Sequence, residues 1–133
     1  MTINARMDAV GIVASDMAKA LAFYRALGLQ IPADADGQPH VEVTLTGGLR
    51  LMFDTEETVR SVNPDWRPVP GAGRIGLAFV LPDAAAVDAA YAELTAAGHH
   101  GEMAPFDAFW GQRYAVVNDP DGNGVDLFAP LAS

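Results

Sequence analysis

The side chains able to do chemistry fall in two stretches of this 133-residue chain. In the first, His40-Val41-Glu42-Val43-Thr44-Leu45 alternates polar with apolar residues, and Leu49-Arg50-Leu51-Met52-Phe53-Asp54 keeps the same parity. Successive side chains of a strand point to opposite sides, so one face of each run is apolar and the other carries His40, Glu42 and Thr44 or Arg50, Met52 and Asp54. That second face either meets solvent or lines a concave cup. In the second stretch, Phe106, Phe109 and Trp110 follow Pro105 and precede a strand-like run bearing Tyr114, while Trp66 sits in an earlier proline-rich segment. Rings in such settings stack on flat ligands, form lids or cover a partner surface. Met52 and Met103 add soft, adaptable surface or ordinary core filling. Asp126, inside the apolar run Val125-Asp126-Leu127-Phe128, needs a partner if it is buried. Arg50, Arg74 and Tyr114 are the donors at hand, and a structural salt bridge competes with direct ligand contact.

Other chemistries are excluded. There is no cysteine, hence no disulfide, thiolate metal site or thiol nucleophile. Ser15 and Ser61 lie in cap and linker settings without a Gly-x-Ser-x-Gly elbow. Gly71-Ala72-Gly73 precedes a strand instead of opening a helix, so the dinucleotide fingerprint is not met. A formal net charge of −9, with Lys19 the sole lysine, argues against nucleic acid and favours neutral or cationic ligands. Residues 1–15 do not resemble a signal peptide, and no apolar run reaches the roughly 18–20 residues of a membrane span. The expectation is a cytoplasmic protein without membrane contact.

The elements that position these residues come in two copies. An offset of 67 residues brings Val13 onto Val80, Asp16 onto Asp83, Tyr24 onto Tyr91 and Leu27 onto Leu94. Each copy reads as a strand (10–14, 75–81), an Asp N-cap, an Ala/Leu-rich helix (17–27, 84–97) and a Gly stop at Gly28 or Gly98. Strands at 40–46 and 49–54 flank a Gly47-Gly48 turn, and strands at 112–118 and 125–128 flank Asp119-Pro120-Asp121-Gly122-Asn123. Residues 55–73 read as a linker, the aromatics that follow Pro105 as loop residues, and the modules as 1–66 and 67–133.

A strand ending in Ser15-Asp16, followed by Ala22-Phe23-Tyr24 and Leu27-Gly28-Leu29, resembles the vicinal oxygen chelate (glyoxalase/bleomycin resistance/dioxygenase) superfamily. So does the Asp119-Pro120-Asp121-Gly122-Asn123 turn leading into Val125-Asp126-Leu127. The resemblance implies an α+β fold of two tandem βαβββ modules whose sheets curl around a cleft, usually in a homodimer. It also implies metal-ligand positions at Ala9, Met52, Gly76 and Asp126. Asp126 alone is a hard donor there, His40 is the nearest recruit, and a catalytic site needs about three protein ligands. The expectation is therefore no metal and no cofactor.

Ile31-Pro32-Ala33, Pro39-His40, Val59-Arg60-Ser61 and Trp110-Gly111-Gln112-Arg113-Tyr114 resemble, more narrowly, the mitomycin-binding resistance proteins. Small residues at Ala9, Gly11, Gly76 and Ala78 either let strands approach or leave room for a rigid ring system. The function expected is metal-independent sequestration of a small planar aromatic antibiotic of mitomycin, bleomycin or anthraquinone type. The expected binding residues are His40, Arg50, Met52, Asp54, Trp66, Met103, Phe109, Trp110, Tyr114 and Asp126. The alternative is an enzyme of the same superfamily using His40, Asp126 or Tyr114 as acid–base groups.

Overall fold

The computed structural model describes residues 3–69 and 73–132, so positions 70–72 of the expected linker lie outside the described residues. The chain divides into two compact units, Met1–Arg67 and Pro68–Ser133.

The first unit runs β1 (Ala9–Ala14), α1 (Met17–Ala26), a 3-10 turn (Ala33–Gly37), β2 (His40–Thr44), β3 (Arg50–Thr55) and α2 (Glu56–Val62). Its sheet has the order β1-β3-β2, with β1 parallel and β2 antiparallel to β3. Ile12, Ala14, Val41, Val43, Leu51 and Phe53 are buried on one face of these strands, as are Met17, Ala20, Leu21, Phe23 and Tyr24 on α1. Tyr24 joins the two layers, its ring centroid 5.3 Å from that of Phe53.

The second unit runs β4 (Leu77–Val80), α3 (Ala84–Ala96), β5 (Gly101–Ala108), β6 (Gln112–Asn118) and β7 (Gly124–Pro130). Its sheet has the order β4-β7-β6-β5 with β4 parallel to β7, the full βαβββ pattern. Ala115, Val117, Val125, Leu127 and Ala129 form its buried face, with Val87 and Leu94 buried on α3.

The paired caps behave alike. Asp16 accepts from the Lys19 N–H at 3.1 Å, and Asp83 from the Ala86 N–H at 2.8 Å. Each satisfies an orphan donor of its helix. Gly28 and Gly98 take φ of +102° and +100° and close both helices with a Schellman motif, Leu29 N–H to Tyr24 O and His99 N–H to Leu94 O. In the Asp119–Asn123 turn, the buried Asp119 carboxylate accepts the Asp121 and Asn123 N–H groups and the Asn123 amide. This motif is accordingly structural.

Three segments differ from the sequence reading. Residues 56–62 of the expected linker form α2, capped by Thr55 Oγ1 accepting from the Thr58 N–H, with Glu56 in the first turn paired to Arg60. Among the described residues the first unit has three strands, and a 3-10 turn follows α1 where the second unit places β5. Arg25 fixes that turn: its Nε donates to Ile31 O at 3.0 Å and its guanidinium pairs with Asp36 at 2.8 Å. Finally, Pro105 and Phe106 lie in a strand, residues 101–108, and not in a loop. Pro105 is tolerated there because β5 is an edge strand, and register shifts flank Met103.

Candidate functional site

The face of the first sheet turned away from α1 is polar. Register places Ala9, Arg50 and Thr44 in one row, Gly11, Met52 and Glu42 in the next, and Val13, Asp54 and His40 in the third. The charged members link into a chain. His40 Nδ1 lies 2.6 Å from Asp54, its Nε2 lies 2.7 Å from Glu42, Glu42 accepts from Arg50, and Arg50 reaches Asp8. Both nitrogens of His40 can donate at once only in the protonated ring. Hydrogen bonds to Glu42 and then to Asp54 hold the imidazole above its ordinary value, against a smaller opposing effect of burial. A pKa raised in the folded state makes a contribution to stability that is complete below the unfolded value of 6.5 and is lost as pH rises through the folded value. An NMR titration of the His40 ring should therefore give a midpoint above 6.5, and Glu42→Gln should lower it. A wild-type midpoint at or below 6.5 would show that the chain does not form in solution.

The corresponding face of the second sheet is aromatic. Tyr114 on β6 pairs across the ladder with Phe106 on β5 and Phe128 on β7. Phe106, Trp110 and Tyr114 meet edge to face at centroid distances of 5.3 to 6.4 Å, and Phe109 stands edge-on to Trp110 at 5.0 Å. Edge-to-face contact sets the positive rim of one ring against the negative face of another, so the rings brace each other at fixed angles. Trp110 Nε1 donates to Gln112 at 2.8 Å, yet the residue stays 49% exposed. Tyr114 donates its hydroxyl to Asp126 Oδ2. Burial, then the hydrogen bond and charge of Asp126, push the phenol up to about 12. At neutral pH Tyr114 is thus a hydrogen-bond donor and a poor base.

The expected site residues fall into separate groups. His40, Arg50, Met52 and Asp54 share the open face of the first sheet. Tyr114 and Asp126 share that of the second, Met103 is register-paired with Val116 there, and Phe109 and Trp110 occupy the β5–β6 turn. Trp66 belongs to the first unit, where the Arg60 guanidinium lies 5.3 Å from its ring centroid. The salt bridge expected of Asp126 is corrected: among the described residues no cation pairs with it, and its partner is the Tyr114 hydroxyl, while Arg50 is engaged by Asp8 and Glu42. Sequence reasoning missed Asp8, whose place beside Arg50 depends on the parallel pairing of β1 with β3.

The family model described as "Glyoxalase/Bleomycin resistance protein/Dioxygenase superfamily" matches residues 6–127. The chain belongs to this superfamily. Its fold is shared by a glyoxalase/bleomycin resistance protein/dioxygenase family enzyme from Burkholderia phytofirmans, with TM-score 0.81 and 23% identity over 96% of this chain and 100% of that one. A superfamily member from Sphaerobacter thermophilus is 28% identical, with TM-score 0.66 over 95% and 98% of the two chains. A hypothetical protein from S. aureus has TM-score 0.78 and 18% identity over 96% and 95%. No curated protein matches the chain.

The divalent metal implied by the resemblance does not fit the superfamily positions in this member. Three of them carry Ala9, Met52 and Gly76, and the fourth, Asp126, already accepts from Tyr114. Among the described residues no group of three or more His, Asp or Glu side chains could hold a metal ion. Nor is any helix among them long and apolar enough to cross a membrane.

Proposed function

We propose that the protein is a cytoplasmic, homodimeric binding protein that captures a small planar aromatic antibiotic, of mitomycin, bleomycin or anthraquinone type, without transforming it. The observation that carries this reading is the braced ring cluster on the open face of the second sheet, where Trp110 remains 49% exposed. A surface of rings fixed at right angles offers both stacking and edge contacts to a flat guest, at roughly 0.5–1.5 kcal/mol per aromatic pair beyond area burial. Micromolar affinity needs about 8 kcal/mol, so burial and hydrogen bonds must supply most of it. The Tyr114 phenol, kept neutral and bonded to Asp126, is a poor general base. Sequestration also makes abundance and affinity, and not rate, the properties that protect a cell.

The test is a fluorescence titration of a Trp66→Phe variant, in which Trp110 is the remaining tryptophan. Mitomycin C, bleomycin and an anthraquinone are added in turn and recovered for chemical analysis. Saturable quenching at micromolar concentration or below by at least one compound, recovered unchanged, is the expected result. A chemically altered compound would transfer the site to the enzymatic alternative. Absence of binding, together with loss of self-association in Trp110→Ala, would make the rings a subunit contact.

A further inference from the structure

We infer that the aromatic guest carries a protonated amine, which pairs with the open oxygen of Asp126 while the ring system lies on the Trp110–Tyr114 cluster. The inference rests on the aromatic-binding reading and adds the charge of the ligand. The two carboxylate oxygens of Asp126 are in different situations. Oδ2 accepts the Tyr114 hydroxyl, which fixes the carboxylate beside the rings. Oδ1 receives no hydrogen bond among the described residues, and no cation there pairs with Asp126. Its cross-strand neighbours, Ala78 and Val116, carry neither charge nor donor.

Approach to Oδ1 is kept open by Gly76. A Cβ at this position would stand 4.0 Å from Asp126 Oδ1 and 3.5 Å from Gly124 O, both ordinary contact distances. The backbone there is not in the left-handed region, so neither steric conflict nor conformation demands glycine. What its missing side chain provides is space beside a carboxylate oxygen. Cations are attracted to ring faces as well as to carboxylates, and the chain's net charge of −9 favours a cationic guest at long range. An anionic guest would meet the negative charge of Asp126, which no cation pairs among the described residues.

The test uses a matched pair, 2-(aminomethyl)anthraquinone and its N-acetyl derivative, which share the ring system and differ in charge. Wild-type protein is expected to bind the amine about tenfold or more tightly than the acetamide, as hydrogen bonds to charged groups allow. Asp126→Asn, near-isosteric and still able to accept from Tyr114, should abolish the preference while leaving acetamide affinity within about twofold. Gly76→Leu should abolish it as well, by filling the approach to Oδ1. Equal affinity of wild type for both compounds, or a preference retained in Asp126→Asn, overturns the inference and leaves aromatic binding standing. Failure of both compounds to bind overturns the two together.

Discussion

Replacing Phe53 with alanine is expected to destabilise the protein by about 3–5 kcal/mol, the usual loss for a buried phenylalanine whose site cannot collapse. Phe53 has no exposed surface, and it sits on the middle strand of the first sheet between Ile12 and Val41. Its ring meets Tyr24, which itself stands edge-on to Phe23 at 5.0 Å. Three fully buried rings therefore share one cluster, and removing the central strand's member leaves a void bordered by rigid neighbours. A typical domain is stable by only about 5–15 kcal/mol, so the loss is a large fraction of the total. Urea unfolding followed through Trp66, which lies in the same unit, reads it directly. A shift below about 1 kcal/mol would mean that the cluster is loosely packed or repacks around the gap.

What could be read in advance was local. Asp16, Asp83, Gly28 and Gly98 announced both helices because a cap and a stop are decided within a few residues of backbone geometry. Alternation likewise fixed which faces of β2 and β3 would be buried. The misses are where distance or sheet position decides. β5 contains Gly101, Pro105 and Ala108 and no β-branched residue, and it is held by the ladder with β6 in spite of its composition. The α2 signal was present in Thr55, Glu56 and Arg60, but the helix is a single short amphiphile with no buried residue, set before a run of prolines. The 3-10 turn depends on Arg25 reaching 11 residues ahead to Asp36. At the candidate site, parity correctly grouped His40 with Glu42 and Arg50 with Asp54, whereas the pairing of Arg50 with Asp8, just ahead of β1, followed from a crossover that no local pattern encodes.

Trp110→Ala is expected to weaken binding of the aromatic guest by about 30-fold, corresponding to the roughly 2 kcal/mol that marks a hot-spot residue. Among the clustered rings Trp110 combines the greatest area with substantial exposure, and three neighbours plus the Gln112 hydrogen bond hold it at a fixed angle. A pre-positioned ring loses little conformational freedom when a guest arrives, so most of its contact energy appears as affinity. Phe109 provides the contrast. It is 97% exposed and touches the cluster through Trp110, so Phe109→Ala should weaken binding by no more than about threefold, the effect of a peripheral contact. Equilibrium dialysis with the ligand's own absorbance measures both without relying on the altered fluorophore. The near-ultraviolet circular dichroism of the Phe106–Tyr114 pair, 6.0 Å apart, reports whether the remaining rings keep their places. If Trp110→Ala retained full affinity with that signal intact, the guest would not be resting on these rings. If instead Phe109→Ala were the more damaging change, the guest would lie outside the braced cluster, against the turn, and the burial needed for micromolar affinity would have to come from a second surface.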